Sequence, residues 1–333
     1  MTDMMRAVQS VAVGGPQTLE IRSMPVPEPG PGELRLRVQA VGINYPDLLI
    51  IEDRYQYRPE RPFSPGAEVA GVVEALGPGV DGPAPGARVI AMLGWVGLAE
   101  RVLAPAAGCF VLPEAVAMET GAAILMTYGT SFHALRDRAG IRPGESLLVL
   151  GAGGGVGLAA VELGLALGAK VTAAASSEAK LEPARAMGVA HTVVYPAEAL
   201  DRAGQKGFSD ALKAAGGPFD VILDPVGGTY AEPALRAIAR GGRYLVVGFP
   251  AGLPLIPLNL PLLKECDIRG VFWGSHIDHD PAAHRAAVGE LLDLCAMARI
   301  RPLIHRSYPL EAAGEAIATL STRGVVGKVV VTV

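Results

Sequence analysis

The chain has 333 residues, half of them hydrophobic, with 29 basic and 33 acidic side chains and a formal net charge of −4. That length suits about two domains, the apolar share supplies buried cores and argues against disorder, and the mild acidity excludes nucleic acid or an anionic membrane as the main partner. Three cysteines, Cys109, Cys266 and Cys295, are too few for a disulfide framework or a four-thiolate zinc lobe, so a reducing compartment, the cytoplasm, is expected.

The opening MTDMMRAVQSVAVGGPQ holds no apolar run of the kind a secretory signal needs. In chain order, short strand-like runs follow at 34–41, 67–76, 87–92 and 99–102, separated by PEPGPGE, GPGVDGPAPG and APAAG. Many short strands with turns between them predict an irregular β-barrel-like domain. Near residue 127 the texture changes. Apolar runs at 146–152, 170–175, 191–194, 220–226, 243–249 and 268–273 alternate with helical stretches at 156–167, 178–187, 197–215 and 230–238. This rhythm predicts a parallel sheet covered on both faces. A helix at 282–298, a helical stretch at 309–320 and a final strand at 327–333 close the chain. The tail is expected to return to the first domain, giving 1–126 with 275–333 as one domain and 127–274 as an insertion.

The apolar stretch 147–169, broken only by Glu162, reaches the length of a membrane span. Its glycines dictate another reading. A strand runs directly into Gly151-Ala152-Gly153-Gly154-Gly155-Val156-Gly157, and an apolar helix follows. Glycines allow a tight turn and close approach of a pyrophosphate to backbone amides, and the helix start offers free N–H groups and the positive dipole end. Gly153, Gly154, Gly155, Val156 and Gly157 are therefore candidate dinucleotide contacts. The competing reading, a plain strand–helix corner, is disfavoured by the strand–helix units downstream. An NAD site places an acid about 20 residues on, against the ribose 2′-hydroxyl. That count lands on Ala175-Ser176-Ser177, with Lys180 one helical turn beyond and Tyr195 at the end of the third strand. An acid there would repel a 2′-phosphate. Its absence favours NADPH, with Ser176, Lys180 and Tyr195 as candidate contacts, although Glu178 stands nearby. The bland alternatives are a solvated Lys180 and a packing role for Tyr195.

Several segments occur in one order: Gly42-Ile43-Asn44-Tyr45-Pro46-Asp47, PFSPGAEVAGVVEALGPGV, MTYGTSFHAL, the glycine loop, Asp224-Pro225-Val226-Gly227-Gly228, GGRYLVVGF and GKVVV. Over almost its whole length the chain resembles the medium-chain dehydrogenase/reductase superfamily, and within it the zinc-independent quinone oxidoreductases of the zeta-crystallin type. The resemblance implies an α/β fold, a Rossmann-type doubly wound parallel sheet inserted into a GroES-like β-rich catalytic domain. Where the zinc alcohol dehydrogenases of the superfamily carry Cys, His and Cys, this chain has Asn44, Ala67 and Met126, which do not make a zinc site. The stretch matching the cysteine-rich lobe reads AMLGWVGLAERVLAPAAG. Neither zinc is expected, and the His276-x-x-His279 pair reads as a polar loop. Without a Lewis acid, alcohol oxidation is a poor fit, and the acceptor should be electrophilic already.

The resemblance further implies that Lys180, Tyr195 and Arg323 meet the 2′-phosphate, that Thr130 contacts the nicotinamide end, and that Phe249 and Trp273 border the nicotinamide or, alternatively, fill the core. Asn44 would donate to a substrate carbonyl, and Tyr45 or Tyr55 would supply a proton. Asp47 and Glu68 read as structural hydrogen bonding or an ion pair. Arg54, Arg58 and Arg61 either steer an anionic substrate or are solvated. The expected activity is NADPH-dependent reduction of a quinone. The alternatives are reduction of an enone or of an enoyl or acryloyl thioester, and a non-catalytic NADPH-binding protein. A homodimer through the exposed sixth strand, 268–273, is implied by analogy.

Overall fold

The computed structural model describes residues 3–322 and 324–333. The expected contact Arg323 lies outside the described residues. The chain forms two compact units, one of residues up to Met126 together with Val288–Val333, the other of Thr127–Ala287. The second crossing falls at 287/288, inside a helix, where the sequence pattern places it ahead of that helix. The reason is local: His284, in the helix's first turns, lies edge-on to the Trp273 ring, centroids 5.5 Å apart, and so stays with the inserted unit.

The first unit opens with an antiparallel ribbon, β1 (Met4–Ser10) with β2 (Leu19–Pro25). β3 (Glu33–Ile43) is its longest strand. Leu34, Leu36 and Val38 point into the core and alternate with the less buried Arg35 and Arg37. That is the period-two pattern of a half-buried strand, each inward side chain contributing about 1.5–3 kcal/mol. α1 (Tyr45–Ile51) follows, then β4 (Glu68–Leu76), β5 (Arg88–Met92), β6 (Arg101–Pro105) and β7 (Cys109–Val111), with α2 (Met118–Gly121) and α3 (Leu125–Phe132) leading out.

In the inserted unit a π-helical turn, His133–Ala139, continues α3. Then come β8 (Ser146–Val149), α4 (Gly155–Ala166), β9 (Lys170–Ala175), α5 (Glu178–Ala186), β10 (His191–Val194), α6 (Arg202–Ala214), β11 (Phe219–Asp224), α7 (Ala231–Arg236), β12 (Ile238–Val246), α8 (Asn259–Lys264), β13 (Asp267–Gly270) and α9 (Trp273–His279). The six strands run parallel in the order β10-β9-β8-β11-β12-β13. In chain order this is 3-2-1-4-5-6, the doubly wound arrangement, whose switch point lies between β8 and β11. The sixth strand is shorter than expected: it ends at Gly270, whose carbonyl accepts from Arg138 Nε at 2.9 Å, and Trp273 begins a helix instead of closing a strand. His276 and His279 lie on that helix, not in a loop.

The deceptive apolar stretch is β8 with α4. Gly157, Leu158, Ala159, Ala160, Val161, Leu163 and Gly164 of α4 are all buried. The helix is apolar on every side because it is sunk in the layered core. Among the described residues no helix is long and apolar enough to cross a membrane.

α10 (Pro281–Ala296), β14 (Ile304–Pro309), α11 (Ala313–Thr319) and β15 (Lys328–Thr332) complete the chain. β15 pairs antiparallel with the end of β3, Val329 opposite Ile43, and parallel with β14. The first unit's sheet then runs β14-β15-β3-β4-β5-β7, with β6 on the first half of β3.

Candidate functional site

In the inserted unit, the glycine loop leaves β8 at the switch point, where open α/β sheets place their ligands. Its glycines do different work. A Cβ on Gly157 would lie 2.1 Å from the Gly151 carbonyl oxygen, and one on Gly153 would lie 2.7 Å from Cβ of Lys180. Both are packing requirements. Gly151 has φ +60°, a left-handed conformation that favours glycine. A Cβ on Gly154 would meet only the Gly151 oxygen, at 3.5 Å. Gly154 is the N-cap of α4 and contributes no side-chain cap, so the first N–H groups of the helix are left for an anion.

β9 ends at Ala175. Lys180 Nζ, on the first turn of α5, donates to Ser176 Oγ at 3.3 Å, so a cation and a hydroxyl stand together beyond that strand end. The nearby acid is held elsewhere: the Glu178 carboxylate pairs with Arg185, which also reaches Glu182 and Thr192. Tyr195 is 5% exposed and packs between Phe208 and Tyr230. Its hydroxyl accepts from Gly151 N at 3.2 Å, and burial pushes its pKa well above the usual tyrosine range. The hydroxyl is thus joined to the glycine loop.

The DPVGG segment is a turn built on a buried carboxylate. Asp224 Oδ1 accepts from Val226 N and Gly227 N, both at 2.8 Å, and Tyr244 donates to Oδ2 at 2.5 Å. Burial raises the Asp224 pKa against these bonds. Gly227, at φ +70°, lies against Phe249, whose Cδ1 would be 3.1 Å from an added Cβ. Phe249 is itself half exposed after β12. Trp273 is buried instead, its ring 2.6 Å from where a Cβ on Gly129 would stand. Thr130 neighbours that glycine on α3.

In the first unit, Asn44 is buried and its side chain is engaged on every side. Nδ2 donates to the Gly42 carbonyl and to Glu68 Oε2, each at 3.1 Å, and Oδ1 accepts from Lys328 Nζ at 2.6 Å. Lys328 also donates to Glu68 Oε2 at 3.0 Å, with 4% and 0% of the two side chains exposed. Glu68 Oε1 accepts from Met126 N at 3.1 Å. Asp47 accepts from Asn44 N at 2.7 Å and Gly66 N at 3.0 Å. Burial raises the Asp47 pKa to about 6, against those two bonds and the Lys328 charge. Both amide hydrogens of Asn44 are committed within the protein, so the carbonyl-donating role expected for it has no spare donor.

Tyr45 lies exposed at the start of α1. Tyr55 packs partly against the core and beside Tyr57, ring centroids 5.8 Å apart, and burial holds its pKa above the ordinary value. Arg54 pairs with Glu52, and Arg61 pairs with Asp53 and lies over Phe63, so two of the three loop arginines are already neutralised. The Asn44–Glu68–Lys328 network is not legible as a unit in the sequence, because its members lie up to 284 positions apart. The one available hint is a lysine in a closing strand that otherwise reads as apolar.

Comparison with known proteins matches both units. Residues 155–291 match the zinc-binding dehydrogenase family, and residues 30–114 match the alcohol dehydrogenase GroES-like domain. The chain is 36% identical over 301 residues to quinone oxidoreductase-like protein 2 of Bos taurus, covering 90% of this chain and 84% of that protein. It is similar to the quinone oxidoreductase of Thermus thermophilus, whose structure was also solved with NADPH. The TM-score is 0.84 and the identity 35%, over 99% of this chain and 100% of that one. A structure described as an NAD-dependent alcohol dehydrogenase matches with a TM-score of 0.88 and 32% identity, over 99% and 100% of the two chains.

Proposed function

The chain belongs to the medium-chain dehydrogenase/reductase superfamily, and on that footing we propose that it is a zinc-independent, NADPH-dependent reductase of quinones. The observation that carries this reading is the end of β9, where Ser176 and Lys180 stand together and no acid occupies 175–177.

The residues fit a dinucleotide bearing an extra phosphate. The open face at Gly154 and the uncapped start of α4, with Gly155, Val156 and Gly157, would hold the pyrophosphate. Ser176 and Lys180 would take the 2′-phosphate. Tyr195 would support the loop through its bond to Gly151. Thr130, Phe249 and Trp273 would flank the nicotinamide. NADPH, when bound, supplies a hydride to the acceptor.

The positions that match zinc ligands do not suit the metal. They hold an amide, a methyl group and a thioether, Asn44, Ala67 and Met126, and the Asn44 oxygen already accepts from an ammonium group. No polarising ion is then available from them, which favours a quinone, whose carbonyls accept a hydride unaided. A proton for the product oxygen would come from Tyr45 or Tyr55. Tyr45 is the better placed for exchange with water, being exposed.

We also assign a homodimer to the edge of the parallel sheet. β13 pairs only with β12 among the described residues. In the segment that leads into it, Leu253, Leu255, Leu258, Leu262 and Leu263 are each at least 70% exposed, apolar surface of the kind that marks a protein interface.

The test is turnover with NADPH and with NADH against a panel of quinones and enones, in the parent and in Lys180→Ala. The parent should oxidise NADPH fastest with a quinone. Lys180→Ala should raise KM for NADPH and leave NADH unaffected. Equal use of NADH, or enone turnover with quinones inert, would overturn the reading.

A further inference from the structure

A second polar cluster in the inserted unit has no part in the chemistry above. His133 and Asp137 sit four residues apart on the π-helical turn, and His133 Nδ1 donates to Asp137 Oδ2 at 2.8 Å. His276, on α9, stacks on His133 with centroids 4.2 Å apart and planes 17° from parallel. Its Nε2 is buried without a hydrogen-bond partner and points at the same Oδ2 from 3.8 Å, too far for a hydrogen bond. Arg136 Nε holds the other oxygen, Oδ1, at 2.7 Å.

Three possible ligand atoms within 4.8 Å of one another invite a metal reading. The ring geometry argues against it. Near-parallel imidazoles direct their in-plane lone pairs side by side, whereas one ion needs them to converge, and Arg136 already offsets the carboxylate charge.

The cluster has a mechanical consequence. The π-helical turn holds the whole stretch from β13 to α9. Arg138 Nε donates to the Gly270 carbonyl at 2.9 Å, and Arg269 donates back to the Arg138 carbonyl at 2.5 Å. His276 is the third point, one turn along from Trp273, whose ring fills the space above Gly129.

We propose that Asp137, gripped by His133 and faced by His276, is a positioning residue that fixes α9 and, through it, the placement of Trp273. The functional part of this rests on the reading that Trp273 borders the nicotinamide. Burial lowers the His133 pKa, more than its bond to Asp137 raises it, and the His276 and Arg138 charges act in the same direction as burial. Burial works to raise the Asp137 pKa, but the bonds from Arg136 and His133 together outweigh it and hold the carboxyl below its usual value. The carboxylate therefore stays negative beside the stacked pair and keeps its grip on His133. His284 faces His276 and Trp273 from α10, with Arg285 beside it. Burial first, then the His276 charge, lowers the His284 pKa to about 4.

The experiment compares Trp273 emission at neutral pH in the full chain without cofactor, with Trp95→Phe removing the other indole. His276→Gln and Asp137→Asn should each shift that emission to the red of the parent. Parent emission in both His276→Gln and Asp137→Asn overturns the proposal. If Asp137→Asn does not fold, His276→Gln carries the test. NADPH affinity at neutral pH separates the two layers. Weaker binding in Asp137→Asn supports the link to the nicotinamide site. Unchanged binding beside an altered emission leaves the clamp standing and removes Trp273 from that site.

Discussion

Two glycines three positions apart in the same loop should answer to substitution in opposite ways. An alanine at 157 would place its methyl group 2.1 Å from a carbonyl oxygen. Gly157→Ala should lower stability by about 1–3 kcal/mol, the usual cost of forcing a methyl group into a packed site, read as a lower urea midpoint, and should lose NADPH binding with it. An alanine at 154 clashes with nothing in the loop, so Gly154→Ala should keep the parent midpoint while weakening NADPH binding, measured by fluorescence titration. Asp47 supplies a pH signature. Burial raises its folded pKa to about 6 from the ordinary aspartate value of 3.8. The native state therefore keeps a proton that the unfolded chain releases. The stability this contributes is complete below about pH 3.8 and is lost as pH rises through about 6. At about 1.36 kcal/mol per unit, the swing is of order 2–3 kcal/mol. Urea denaturation at intervals across that window should show it in the parent and show it flattened in Asp47→Asn.

At the scale of elements, the first unit is pinned by an ion pair that joins its last strand to β4 and to the end of β3. Lys328→Met leaves Glu68 buried without its ammonium partner. Breaking such a pair from one side should cost about 3–5 kcal/mol, and Lys328→Met with Glu68→Gln should recover part of the loss in the same denaturation measurement. Regular elements are legible in the sequence where one pattern dominates. β9 and β10 match the runs expected for them residue for residue: β9 is a largely buried apolar run, and β10, at the sheet edge, is short and rich in β-branched residues. β1, β2, β7 and β14 are not legible. β2 and β14 are mostly exposed and β7 is three residues long, so they carry no period to detect, and β1 buries the polar Gln9 and Ser10 among its apolar residues, which breaks its pattern. The glycine loop is legible because its glycines are local. Tyr195 falls at the expected strand end, but its burial against Phe208 and Tyr230 depends on α6 and on the turn before α7, whose packing no spacing encodes.

At the scale of the molecule, the exposed leucines in the segment that leads into β13 belong to a surface that water alone would cover at a cost. If two copies pair there, sedimentation of the parent should give a dimer, and Leu262→Glu with Leu263→Glu should give a folded monomer with the parent's circular dichroism spectrum. The same distances that hide the Asn44–Glu68–Lys328 network from a reading of spacing also govern how the molecule is made. β15 brings both the ammonium and the partner for the end of β3 from the far side of the inserted unit. During synthesis, everything from Thr127 to Ala287 leaves the ribosome before that strand exists. The inserted unit can therefore finish folding as an autonomous body while the segment translated first still waits, with an open sheet edge and an uncompensated Glu68, for the final residues to arrive.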